Sequence, residues 1–295
     1  MLSAKVLPLL FGIMMKLTAL VDNTRLDSRP ELAVERGLSF HVETMGSQIL
    51  FDKGSSSTFC ENAALMNISI QDVDLAVISH RHHDHCNGTT HFIERNSKAK
   101  IYLKDCEDKN YLFKAFGFKN DVGINKELLK NASERLIFVE HTTEILPNIF
   151  IITEISDKYE KPKGNRYLYT QSENGYKNDT FDHELLLVVK ESDGLIVFTG
   201  CAHSGVLNMV ETAIELFPNH RIKAVVGGFH LVGLPLLNSI GGTKQDIQAI
   251  GQALSHYPID KLYTGHCTGM KAFGLLKEVL GDRLEHLPTG RSVLI

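Results

Sequence analysis

The sequence predicts a layered α/β fold. Short β-branched runs alternate with amphipathic stretches along the 295-residue chain, with no fixed-period repeat and no low-complexity segment. Polar clusters recur where an apolar run ends: Asp52, His80–His85, Cys201–His203, His230 and His266. In layered α/β folds ligands collect at strand ends, where loops converge on one rim.

In the first half, 16–21 (KLTALV), 39–43 (SFHVE) and 48–51 (QILF) read as short strands, the last two joined by an MGS turn. GSSSTFCENAALM is a loop entering a helix, with Ser and Thr available as N-cap. The stretch 74–79 (DLAVIS) is a short apolar strand of the kind buried on both faces, and it delivers the histidine cluster at its end. Residues 98–103 form a strand, followed by a helical or irregular stretch to about 133; strands follow at 136–140 and 149–153. Residues 157–180 are polar and loop-like, either an active-site lid or a solvated connection.

In the second half, 184–190 and 195–199 form a hairpin around ESDG. The stretch 204–217 is an amphipathic helix with Leu207, Val210, Ile214 and Phe217 on one face. A strand at 224–226, a helix at 243–257 stopped by Pro258, a strand at 262–264 and a helix at 270–280 complete the pattern.

Hydrophobic residues at 43%, charged residues at 22% and a net charge of −4 describe a soluble globular chain. No basic stripe supports nucleic-acid binding, and no apolar run is long enough for a bilayer. A small-molecule substrate is the expected partner; the oligomeric state is not encoded. Five widely spaced cysteines are not a disulfide framework but reduced thiols, so a cytoplasmic protein is expected. Residues 1–14 (MLSAKVLPLLFGIM) faintly resemble an export signal but lack a small-x-small cleavage site. They read as an extension ahead of an alternative start at Met15, with one domain over 15–295.

The stretch ISHRHHDHCNG carries the chemistry. His80 and His82, two apart on an extended turn, can face one ion, and Asp84 and His85 just beyond can face a second. Imidazoles with carboxylates suit Zn²⁺, Fe or Mn²⁺, and such ion pairs generate hydroxide near neutral pH. Four residues cannot close two sites. GCAHSG at 200–205 and GHCTG at 265–269 offer His203 and His266, each after an apolar strand and among small residues that permit close backbone approach.

HxHxDH after an apolar strand, with LVDN, ERGLSF, LFDKG, FTGCAHSG, GGFHL and YTGHCTG in that order, resembles the metallo-β-lactamase fold superfamily. Within it the match is similar to the 7,8-dihydropterin-6-yl-methyl-4-(β-D-ribofuranosyl)aminobenzene 5′-phosphate synthase-like subgroup, over about Met15 to Gly269. The resemblance implies an αββα sandwich of two mixed β-sheets flanked by helices, with two divalent transition-metal ions on one rim, zinc first and Fe or Mn next. It implies His80, His82 and His203 on one ion and Asp84, His85 and His266 on the other. It also implies a hydrolase acting on an ester, lactone or phosphoester through a metal-bound hydroxide aligned by the catalytic Asp84. A synthase-type transferase is the alternative, and a non-catalytic metal or redox sensor the third reading. Two departures stand out. His183 lies near the place of a usual histidine, and Cys201 occupies that of a usual bridging aspartate, as a softer bridge or as a packing residue. Asp52, Asn23 and His230 are further candidates for contact with metal or substrate. Lys53 points either at the site or to solvent, and Cys86 and Cys267 read as small packing residues.

Overall fold

The structure, a computed structural model, describes residues 14–173, 175–234 and 239–295. The expected N-terminal extension lies outside them but for Met14, as does part of the loop after His230. The chain begins with β1 (Lys16–Val21), β2 (Ser39–Thr44), β3 (Ser47–Phe51), α1 (Thr58–Leu65), β4 (Leu75–Val77), α2 (His83–Cys86), α3 (Thr89–Arg95) and β5 (Lys100–Lys104). It continues through β6 (Asn110–Ala115), β7 (Phe118–Asp121), α4 (Lys126–Asn131), β8 (Leu136–Val139), β9 (Thr143–Leu146), β10 (Ile149–Ile152), β11 (Leu168–Ser172) and β12 (Gly175–Asn178). Next come β13 (Leu186–Glu191), β14 (Gly194–Phe198), α5 (Val206–Leu216), β15 (Ile222–Val226) and α6 (Lys244–Ser255). The last elements are β16 (Ile259–Thr264), α7 (Met270–Leu280), β17 (Leu284–His286) and β18 (Ser292–Leu294).

Two seven-stranded sheets stack. One runs β18-β1-β2-β3-β4-β5-β8 and the other β17-β16-β15-β14-β13-β10-β9. Each is mixed, with the first parallel from β3 to β8 and the second parallel from β14 to β17. The period-2 alternation of the strands explains the layering. In β14, Ile196 and Phe198 face the first sheet while Leu195 and Val197 face helices. Phe198 meets Phe51 of β3 across the sandwich, ring centroids 5.4 Å apart. The outer face of the first sheet is covered with the help of α1, α3 and α4, that of the second by α5, α6 and α7. This is the αββα sandwich that the motifs imply.

Two expectations need correction. The stretch after 103 is not helical or irregular throughout: β6 and β7 form a hairpin before α4. β7 (FKND) is exposed along its length and has one apolar residue, Phe118, so it has no alternation to read. Residues 157–180 are not a plain loop, because β11 and β12 pair there, and β11 pairs with β6. The result is a small third sheet, β12-β11-β6-β7. Among the described residues no helix is long and apolar enough to cross a membrane.

Candidate metal centre

The rim where β1, β3, β4, β14, β15 and β16 end collects the side chains that the sequence singled out. His80 Nε2 lies 3.1 Å from His82 Nδ1, and His85 Nε2 lies 3.1 Å from His266 Nε2 and 3.0 Å from Cys201 Sγ. Asp84 Oδ2 is 3.6 Å from His266 Nε2. Ligand atoms of His80, Cys201 and His203 fall within 4.8 Å of one another, as do those of His85, Cys201 and His266. Cys201 belongs to both sets.

The far nitrogens of these rings fix which nitrogen carries the proton. Ser79 Oγ donates to Asp52 Oδ2 (2.7 Å) and therefore accepts from His80 Nδ1–H (2.8 Å). Asp52 Oδ2 also accepts from His85 Nδ1–H at 2.7 Å. His266 and His203 are held in the same way as each other. Asn23 Oδ1 accepts from His266 Nδ1–H (3.0 Å) while its amide donates to His266 O (3.3 Å). Asn165 does so for His203, at 3.1 and 2.8 Å. A buried carboxylate seats each backbone: Asp22 Oδ2 accepts from His266 N at 2.6 Å, and Glu184 Oε1 from His203 N at 2.7 Å. Neutral rings so arranged aim the lone pairs of Nε2 of His80, His85, His203 and His266 at a common space. His203 Nε2 is buried without a hydrogen-bond partner. Facing lone pairs repel unless a cation or proton lies between them, so this donor set fits divalent metal.

The electrostatics agree. Burial and the neighbouring imidazoles push His80 and His203 well below the ordinary imidazole range. Burial likewise lowers His82 and His266 to about 4. Burial also opposes charge on His85, but Asp52 and then Asp84 outweigh it and raise its pKa, so that point favours positive charge. Burial would raise the Asp84 carboxyl, yet His85, His266 and Arg36 hold it well below the carboxylate range. Local backbone is bent to fit: Asp52, Ala202, His230 and His266 have φ of 56°, 55°, 45° and 48°. Such strain concentrates at functional sites. Gly200, at φ 59°, lets Ser79 approach; a Cβ there would stand 2.3 Å from Ser79 Oγ.

The other candidates divide. Asp52 uses both oxygens on Ser79 and His85, so it positions rather than ligates. Asn23 positions His266. His183 Nδ1 accepts from Arg81 N–H at 3.0 Å, leaving Nε2–H to face Asp179 Oδ2 at 3.2 Å. It therefore supports Asp179, which lies 3.8 Å from His82 Nε2. His230 packs its ring 4.1 Å from His203 and forms a further close group with Cys201 and Cys267. Lys53 is not a surface lysine; it is fully buried, donates to Val77 O, and burial lowers it to about 8. Asn165, Asp179 and Glu184 escaped the sequence reading. The first two sit in the aperiodic 157–180 stretch, Asn165 in a helical turn ahead of β11 and Asp179 directly after β12, where no local pattern marks them.

A cavity of about 740 Å³ opens onto the cluster. His82, Asp84, Cys201, His203 and His266 form one side, and Phe113, Phe116 and Phe118 of the third sheet form the other.

No family model matches the chain. It is 29% identical over 275 residues to the 7,8-dihydropterin-6-methyl-4-(β-D-ribofuranosyl)-aminobenzene-5′-phosphate synthase of Methanocaldococcus jannaschii, covering 88% of this chain and 90% of the relative. It is 31% identical over 269 residues to the uncharacterized protein MJ0448 of the same organism, covering 88% and 93%. Among solved structures, Tm1679, described as a metal-dependent hydrolase of the β-lactamase superfamily, superposes with a TM-score of 0.78 at 27% identity, over 95% of this chain and 99% of that one. The sandwich, the rim of converging imidazoles and these likenesses agree: the chain belongs to the metallo-β-lactamase superfamily and, within it, is similar to the dihydropterin-linked ribofuranosylaminobenzene phosphate synthase.

Proposed function

We propose that this protein is a metal-dependent hydrolase of an ester, lactone or phosphoester. The observation that carries the reading is the set of tautomer-locked imidazoles around Cys201, opening onto one cavity. His80, His82 and His203 would hold one divalent ion and Asp84, His85 and His266 the other, with Cys201 between, and zinc suits these donors best. Such a pair supplies Lewis acidity and a water activated at neutral pH. Asp84, kept ionised, accepts a hydrogen bond from the attacking water and orients it at the substrate carbonyl or phosphorus. Asp52, Asn23, Asn165 and Asp179 hold the imidazoles in place. His230, on the cavity wall, faces substrate. All five cysteines are free, which fits a reducing, cytoplasmic setting.

The test is turnover of a panel of phosphodiesters, esters and lactones by protein loaded with Zn²⁺ or Mn²⁺. Tight metal binding with no turnover on any of them defeats the hydrolytic reading and leaves a sensor. The name of the 29%-identical relative favours a second reading, a synthase-type transfer to a pterin-like substrate. Co-purification of a pterin or aminobenzoate-like compound would support it.

Two further outcomes are expected. Asn23→Ala and Asn165→Ala should each weaken metal affinity by about 10–100-fold, since each frees the ring that it orients. Competition against a chelator of known affinity measures this, and unchanged affinity in both variants would show that the amides are incidental. The metal-stripped protein should also lose stability as the pH falls. His82 and His266 ordinarily titrate near 6.5, but in the fold near 4. Below 6.5 the unfolded chain takes up protons that the folded chain refuses, so stability present above 6.5 declines toward 4. The loss is about 3 kcal/mol for each imidazole. His85, with its pKa raised, acts with the opposite sign and offsets part of this. Thermal melts of chelated protein across that window provide the check.

A further inference from the structure

We propose that the β6–β7 hairpin is the substrate-recognition wall, and that the substrate carries a flat, aromatic-sized apolar group beside its reacting bond. This deepens the hydrolytic reading and rests on it for the reacting end only.

Register explains the wall. Phe113 pairs with Asn120 and Ala115 with Phe118, while Leu168 of β11 pairs with Phe113, so these residues share one face of the third sheet. That face lines the same cavity as His82, Asp84, Cys201, His203 and His266. The opposite face is cationic: Lys114 Nζ sits 3.7 Å and Lys119 Nζ 5.4 Å from the centroid of the Tyr176 ring. The phenyl rings of the hairpin thus line the cavity side, while its two lysines gather over the tyrosines of the other face.

Phe118 is 74% exposed and Phe116 is 81% exposed. A phenyl ring in water forgoes the main gain of folding. Phe116 also has φ 50°, with Gly117 at 82°, in the tight turn. A bulky side chain in the left-handed region is strained, and Asn or Gly fills that turn position more easily. Neither packing nor turn geometry accounts for this phenylalanine. An apolar ligand group in the cavity accounts for both rings, because binding would cover them.

The cavity also selects the occupant. At about 740 Å³ it has the size of a small-molecule site rather than of a docking face for a folded partner. Arg36 lines it too, with an exposed side chain whose Nε is 3.6 Å from Asp84 Oδ2. An anionic head at the imidazole cluster beside Arg36, with a ring against Phe113, Phe116 and Phe118, uses the two walls together. Aromatic groups pack favourably on phenyl faces and edges.

The experiment reads binding rather than turnover. Phenylphosphonate and methylphosphonate share a head group and differ in the apolar part. The chain contains no tryptophan, so Phe118→Trp places a single fluorophore on the hairpin. Zinc-loaded F118W should change emission with phenylphosphonate at concentrations where methylphosphonate is silent. By calorimetry, the otherwise unmodified zinc-loaded protein should bind the phenyl compound about tenfold or more tightly. In the F116A/F118A double variant that preference should collapse toward unity while methylphosphonate affinity holds. Equal affinities in the unmodified protein, or a preference that survives the double substitution, overturns the proposal. Concentration-dependent self-association abolished by F116A/F118A, with no ligand preference, also overturns it and assigns the rings to an interface between copies. A phenyl preference without turnover of any ester sinks the hydrolytic reading and leaves this inference standing.

Discussion

His82→Ala should lower metal content from about two ions per chain toward one and reduce turnover at least about a thousandfold, a loss of roughly 4 kcal/mol of transition-state stabilisation. The expectation follows from how little the neighbourhood can substitute. His82 Nδ1 faces His80 Nε2 at 3.1 Å, and its other nitrogen points toward Asp179. The imidazole within reach to replace it is His183, and His183 Nδ1 already accepts the Arg81 N–H. Breaking that bond would leave a buried backbone donor unpaired, at a cost of about 1–3 kcal/mol. The remaining donors of that site, His80 and His203, would hold an ion with an incomplete shell. Elemental analysis of protein purified without chelator gives the metal count, and turnover measured on the same sample gives the activity. The two should fall together. Full activity in metal-stripped His82→Ala protein would remove the basis of the account.

Much of this site was legible because each of its main parts follows a strand of ordinary apolar pattern. His80–His85, Cys201–His203 and His266 come after 74–79, 195–199 and 262–264. The structure brings those three segments to one rim because β4, β14 and β16 point the same way in two stacked sheets. The residues that orient the rings were harder to read. Asn165 and Asp179 act through contacts 38 and 97 positions away in the chain, at His203 and His82. No local period encodes such a pairing. The third sheet was misread for a related reason. β7 (FKND) is solvated on both faces of its pleat apart from the cavity contact, so its identity comes from pairing with β6 and not from its own pattern. Asp52 was visible at a strand end, but its role was not, because ligands and the carboxylates that orient ligands look alike in sequence.

Cys201→Asp should retain two ions while Cys201→Ser loses one, with activity following the metal. Cys201 Sγ lies 3.0 Å from His85 Nε2 and within ligand range of His203, His80 and His266. Its position is central to both proposed ion sites. Burial pushes its thiol well above the ordinary range, and the adjacent Cys267 adds to this, so a thiolate there needs a cation. Metal binding and deprotonation are therefore one event, and loading at neutral pH should release a proton from this residue. A bridging carboxylate can restore the two-ion geometry, whereas a serine hydroxyl is too weak an anion to do so. The sulfur should also bias the metal: Zn²⁺ or Fe²⁺ is favoured over Mg²⁺ or Mn²⁺, and Cys201→Asp should relax that preference. Peroxide adds an independent readout. In the metal-stripped protein the buried thiol stays protonated and reacts slowly at neutral pH, so oxidation at this position should rise only as alkaline pH deprotonates it, and in the loaded protein the ions shield it. Peroxide should therefore block reloading of stripped protein faster as the pH is raised, spare loaded protein, and show no such pH-dependent effect on Cys201→Asp. If both variants keep the wild-type metal count, activity and peroxide response, Cys201 is a packing residue and the two ions, where bound, share no sulfur.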